Sequence, residues 1–160
     1  MLEGKLYMAK HMELPNLYET GIQDLIISAE KVAHVQLTNP LEHAMLILIK
    51  SGYSSIPVLD TQFRLKGLIS QPLILDSILG IERIEFEKLS DYVVEDVMNT
   101  DIPCINENEG FFKGLKLSID HPFLCVVDDE NIFKGILTRR ALLKFVNRYL
   151  HESSFKRSES

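Results

Sequence analysis

Cysteine is scarce in this 160-residue chain, with only Cys104 and Cys125 present. Both stand in apolar surroundings, IPCI and FLCVV, and neither belongs to a CxxC pair. No histidine is spaced to join them, so neither a disulfide framework nor a structural zinc site is indicated. Both read as buried, reduced thiols. Positive charge is also short: 17 Lys and Arg stand against 23 Asp and Glu, for a net charge of −6. That balance excludes a general nucleic-acid binder, which needs an excess of cations to displace counterions. No apolar run approaches the roughly 20 residues that span a bilayer. The first residues, MLEGKLYMAKHMELPNLYE, are broken by charges and lack a signal-peptide core. No membrane association and a cytoplasmic protein are therefore expected.

Catalytic groupings are missing too. His11, His34, His43, His121 and His151 are scattered, and no Ser-His-Asp or Cys-His arrangement or Gly-rich phosphate loop occurs. His34 reads as a satisfied strand residue beside Val35. Asp128, Asp129 and Glu130 read as a solvated hairpin turn, not a metal site. The chain is not expected to be an enzyme, nor to hold a metal or a cofactor.

What is present is an ordinary globular composition, 46% hydrophobic and 25% charged, in a length that suits one domain or two small units sharing a core. The chain also repeats itself. Gln23–Leu79 aligns with Glu95–Leu150 at a shift of about 70 residues. Each copy runs through an acidic and apolar opening (QDLII, EDVM), a β-like run (KVAHVQL, IPCINE) and a helical stretch (LEHAMLILIKSG, FFKGLKLSID). A strand ending in acid (SSIPVLD, FLCVVDD), a second strand (FRLKGLIS, IFKGILT) and an apolar helix (PLILDSIL, RRALLKFVNRYL) follow. Asn39 is placed to cap the first helix, with Pro40 at its first position and Glu42 in its first turn. Leu41, Ala44, Met45, Leu48 and Ile49 give it one buried face, and Gly52 ends it. Asp60–Arg64 and Asp128–Asn131 are polar turns that make each strand pair a hairpin.

A β-α-β-β-α unit of about 55 residues is too small to bury a good core alone, so two copies must pack together, sheet to sheet. The expected organisation is an N-terminal extension or helix over 1–22, repeats over 23–80 and 95–150, a packed linker over 81–94 and a polar, frayed tail over 151–160. The linker sequence GIERIEFEKLS interleaves charges with Ile84, Phe86 and Leu89, and reads as an amphipathic connector or as a partner surface.

The order of elements, with GYSSIPVLD at Gly52–Asp60, GLIS at Gly67–Ser70 and GILT at Gly135–Thr138, resembles the tandem CBS-domain pair, or Bateman module. That resemblance implies an α/β fold of two β-α-β-β-α repeats with pseudo-two-fold symmetry, associating through helices into a homodimer. It also implies clefts between the repeats that take adenine nucleotides. In the family pattern a Ser or Thr ends the second strand and an Asp three residues later holds the ribose hydroxyls. Ser70 and Thr138 match; Leu73 and Ala141 stand where the Asp belongs, which weakens an AMP or ATP reading.

Thr138 reads as a helix N-cap, which places Arg139 and Arg140 in the first turn. Cations there oppose the helix dipole, but the free N–H groups favour an anion. The first repeat has Gln71 and Pro72 at these positions, so the two clefts are expected to be unequal, one strong and one weak or vacant. KVAHVQ, GYSSIPVLD, GIERIEFEKL, the TDIP of Thr100–Pro103 and GILTRR together resemble the stand-alone cyclic di-AMP-binding CBS proteins of Firmicutes, the CbpB/DarB family. The resemblance puts ligand contacts on Lys31, Ala33, Tyr53, Ser54, Arg139 and Arg140. Val32, Ser55, Pro57 and Thr138 complete the expected ligand-binding set. Cyclic di-AMP carries two negative phosphodiesters and no free ribose diol, which suits paired arginines without a ribose Asp. The family also implies partner proteins, the bifunctional (p)ppGpp synthetase/hydrolase and pyruvate carboxylase. The alternatives are an AMP, ADP or ATP sensor and a ligand-free interaction module.

Overall fold

The computed structural model describes residues 16–159. Its elements are β1 (Ile27–Ser28), β2 (Val35–Gln36), α1 (Leu41–Ser51), β3 (Ser55–Leu59), β4 (Leu65–Ser70), α2 (Gln71–Ile78), α3 (Lys88–Asp91), α4 (Val94–Val97), β5 (Cys104–Asn106), α5 (Phe111–Leu117), β6 (Phe123–Val127), β7 (Phe133–Thr138) and α6 (Arg139–Ser158). The β-α-β-β-α order recurs from β2 to α2 and from β5 to α6. The first sheet is ordered β2-β3-β4 and the second β1-β7-β6-β5. In each repeat the leading strand pairs parallel to the next, and a hairpin follows with a bulge at the same place, at Val58/Leu59 and Val126/Val127.

The hairpins turn by the same device. Asp60 Oδ1 accepts from the backbone N–H groups of Gln62 and Arg64, and Asp128 Oδ1 accepts from those of Glu130 and Ile132. These side chains replace backbone ladder partners in the turn. The acidic run at Asp128 is therefore turn chemistry. The sheets pack on each other through a shared core in which Ala29, Val32, Leu59, Leu65 and Leu68 of one repeat meet Cys125, Val127, Phe133 and Ile136 of the other.

Each sheet also carries a piece of chain from the start of the other repeat. β1 pairs antiparallel with β7, Ser28 opposite Gly135. Asn99 bridges Leu68 in the same sense. This exchange explains the glycine that opens both GLIS and GILT. A Cβ on Gly135 would stand 2.0 Å from the Ile27 carbonyl oxygen, and one on Gly67 2.6 Å from Met98 Sδ. Gly135 also has φ +149°, where a side chain is strained. Gly135→Ala is expected to cost about 2–4 kcal/mol, because the obstacle is backbone and cannot swing aside. A urea unfolding midpoint at the wild-type value would contradict this account of the exchange.

Several local expectations need correction. Pro40, not Asn39, occupies the N-cap of α1, and it makes no side-chain cap. Asn39 Oδ1 instead accepts from the N–H of Gln36, closing the turn before the helix. Leu41, Ala44 and Leu48 are buried, but Ile49 is 61% exposed and Leu46 50%. α1 covers the sheet with one stripe, and its second apolar stripe faces outward. Gly52 does end the helix, left-handed at φ +74°. Cys104 is exposed, because it begins β5 at the edge of its sheet, whereas Cys125 in the neighbouring inner strand is buried.

The helix that closes the second repeat runs to Ser158, so 151–158 continue α6. Residues 1–15, where most of the N-terminal extension or helix was expected, lie outside the described residues. From Asn16 onward the extension docks on the second repeat: the Tyr18 ring packs tilted against Phe112, the N–H of Phe111 donates to the Thr20 carbonyl, and Ile22 is buried beside Phe111.

Candidate functional site

Between the sheets, where β3 begins and β7 ends, lies a cavity of about 140 Å³. It is lined by Val32, Ala33, Tyr53, Ser55, Ile56 and Pro57 of the first repeat and by Pro122, Phe123, Ile136 and Thr138 of the second. A largely apolar wall with a few hydroxyl groups at its mouth is the usual make-up of a small-molecule site. The topology brings these residues together. Ser55 and Phe123 open their strands, and Phe123 stands in register with Thr138. Val32 and Ala33 approach from the segment that leads into β2. Two wider concavities of about 600 Å³ lie elsewhere. One is walled by Glu19, Asp24, Glu107 and Glu109, which repel an anion, and the other lies on the linker turn.

Thr138 caps α6 as expected, its Oγ1 accepting from the N–H of Ala141 at 3.1 Å. Ser70 does the same for Leu73 at the start of α2. Leu73 and Ala141, the residues standing at the family's Asp positions, thus lie in the first turn of each helix. In α6 the N–H of Arg139 donates to the Pro122 carbonyl. Of the first three N–H groups only that of Arg140 has no partner among the described residues.

The two arginines are separated by the structure. The Arg139 guanidinium donates to the carbonyls of Ser118 (Nε, 2.7 Å) and Ile119 (3.3 Å), at the end of α5. A cation there complements the negative end of a helix and ties α5 to α6. Arg140 is exposed and has neither an ion pair nor a hydrogen bond among the described residues. Lys31 and Ser54 are exposed and stand outside the cavity lining, on the segments that carry Val32 and Ser55. Tyr53, at 41% exposure, lies at the rim.

Ile56, Pro122, Phe123 and Ile136 were not singled out from the sequence. The repeat could have found Phe123, which takes in the second copy the place of Ser55 in the first. Cys125 packs in the core beside this site, and burial pushes its thiol up to about 12, so it stays protonated and unreactive at neutral pH. No group of residues able to hold a metal ion occurs among the described residues. No described helix is long and apolar enough to cross a membrane.

The sequence matches the CBS domain over residues 22–80 and again over 94–148. The chain belongs to the CBS-domain family. It carries two CBS repeats, and the cavity is the cleft between them. Among CBS relatives, cyclic di-AMP receptor B of Bacillus subtilis is 49% identical over 139 residues, 87% of this chain and 95% of that protein. The solved CbpB protein of Listeria monocytogenes in complex with c-di-AMP is 60% identical, covers 80% of this chain and 96% of its own, and superposes with a TM-score of 0.75. A further CbpB structure in complex with c-di-AMP is 27% identical, covers 96% of this chain and 99% of its own, and has a TM-score of 0.80. This CBS pair is thus similar to proteins named as cyclic di-AMP receptors or solved with that ligand bound.

Proposed function

We propose that this CBS pair is a cytoplasmic receptor for cyclic di-AMP, bound in the cleft between the repeats, and that binding controls a partner protein. The observation that carries this reading is the combination of an apolar cleft with an arginine unpaired among the described residues at an adjoining helix start, in a chain similar to solved c-di-AMP complexes. One adenine enters between Ala33, Pro57 and Ile136, with Tyr53 as a stacking face at the mouth. Ser55 and Thr138 supply hydroxyl contacts. Arg140 takes a phosphodiester with its guanidinium and its backbone N–H together, a charge-assisted pairing at a helix N-terminus. Lys31 and Ser54 add contacts from the rim. Arg139 acts mainly through α5, holding the helix start in place.

The absent ribose Asp favours a cyclic dinucleotide over AMP or ATP, since a ligand without a free diol loses nothing by it. The second cleft lacks an equivalent of the arginine pair, Gln71 and Pro72 standing there, and is the weaker site. The outward apolar residues Leu46, Ile49, Ile119 and Leu143 support a homodimer through the helices. The resemblance names the partners to try first: the bifunctional (p)ppGpp synthetase/hydrolase, then pyruvate carboxylase.

A receptor that signals through a partner obeys linkage: if cyclic di-AMP weakens the partner by some factor, the partner weakens cyclic di-AMP by the same factor. The test is to measure cyclic di-AMP affinity with and without saturating synthetase/hydrolase. A reciprocal change is expected. Complex formation together with identical ligand affinity would remove the partner from the mechanism.

A further inference from the structure

Phe63 sits at the tip of the β3–β4 hairpin with φ +66°, in the left-handed region that bulky side chains avoid. The matching tip of the second repeat has Asn131 at φ +65°, a residue that tolerates this conformation. Asn131 also uses it, donating through Nδ2 to the Leu65 carbonyl at 2.8 Å. The turn therefore suits Asn, and in the first repeat it holds a ring that is 37% exposed. Strain retained at one copy of a repeated turn asks what the ring does there.

The ring meets the edge of His34, with centroids 5.3 Å apart and planes at 81°, and lies 6.3 Å from the ring of Phe133 in the core between the sheets. The N–H of Phe133 donates to the Phe63 carbonyl at 2.9 Å, so the hairpin tip is fixed to that core. His34 in turn donates from Nδ1 to the Val32 carbonyl at 3.3 Å, the one direction open to this contact, since a carbonyl only accepts. Val32 and Ala33 form a wall of the cleft. Ala33 and His34 lie before β2 begins, outside any strand.

We infer that Phe63 and His34 are positioning residues: Phe133, Phe63 and His34 form a chain of contacts that holds the Val32–Ala33 wall in the shape that takes the nucleobase. This rests on the cyclic di-AMP reading of the cleft and adds residues that do not line it.

The test compares wild type, F63N, F63Y, H34A and the F63N/H34A double variant by calorimetric titration with cyclic di-AMP and by urea unfolding. F63N is expected to unfold at about the wild-type urea concentration, the relieved turn offsetting the lost ring contacts with His34 and Phe133, and yet to bind at least about threefold more weakly. F63Y keeps the ring and is expected to bind like wild type. H34A is expected to weaken binding to a similar degree, and the double variant no more than the worse single one, because both act through one contact. Wild-type affinity in F63N or H34A, multiplying effects in the double variant, or an F63N clearly less stable than wild type would each overturn the inference. Wild type without affinity for cyclic di-AMP would instead defeat the ligand reading beneath it.

Discussion

Ala33→Phe is expected to weaken cyclic di-AMP binding at least about 100-fold, or roughly 2.7 kcal/mol, while the protein stays folded. Ala33 lines a cavity of about 140 Å³ and is itself only half-buried, so the added ring has the cavity to enter. A phenyl group there occupies the volume a nucleobase needs and presents no polar edge to replace it. Val32 and Ile136, which line the cavity with Ala33, belong to the core between the sheets. Titration with cyclic di-AMP and a urea midpoint on the same preparation check this. Unchanged affinity in folded protein would place the ligand elsewhere.

The second large effect concerns charge. Arg140→Ala is expected to weaken cyclic di-AMP at least about tenfold, or about 1.4 kcal/mol, and to leave stability near wild type. Stability should hold because the side chain is exposed and makes no hydrogen bond or ion pair among the described residues. Truncation also removes a cation from the positive end of α6, a small gain. Arg139→Ala makes the informative comparison: it removes two hydrogen bonds to carbonyls at the end of α5, so its primary cost falls on stability. If Arg140→Ala bound normally and Arg139→Ala folded normally but lost the ligand, the roles assigned to the two would be reversed.

The division of labour between these arginines marks the limit of what the sequence could tell. Thr138, Gly52 and the Asp60 and Asp128 turns were legible because each acts within four residues of itself. Arg139 was not, because its partners are carbonyls 20 and 21 residues away, and only the packing of α5 against α6 presents them. The β1–β7 exchange was equally hidden. A two-residue strand carries no alternation to read, and its partner is more than a hundred residues along the chain. The glycines of GLIS and GILT signalled it only as a motif; their reason, a crossing backbone, appears in three dimensions. Ile49 misled in the opposite direction. Helical periodicity marks an apolar residue, but it does not distinguish a face turned to the sheet from one turned outward. The cleft itself was reached through the resemblance to the CBS pair, which implies a cleft built from both repeats; Val32, Ala33, Tyr53, Ser55, Pro57 and Thr138 of the expected set line the cavity, and Lys31, Ser54, Arg139 and Arg140 do not.

The central claim is that the cleft selects a cyclic dinucleotide. Calorimetric titration of nucleotide-stripped protein with cyclic di-AMP, then with AMP and ATP at the same salt concentration, tests it directly. The account predicts saturable binding of cyclic di-AMP, with AMP and ATP weaker by at least about tenfold, a difference of about 1.4 kcal/mol. Equal or tighter binding of AMP or ATP, or no heat from cyclic di-AMP at all, would contradict it.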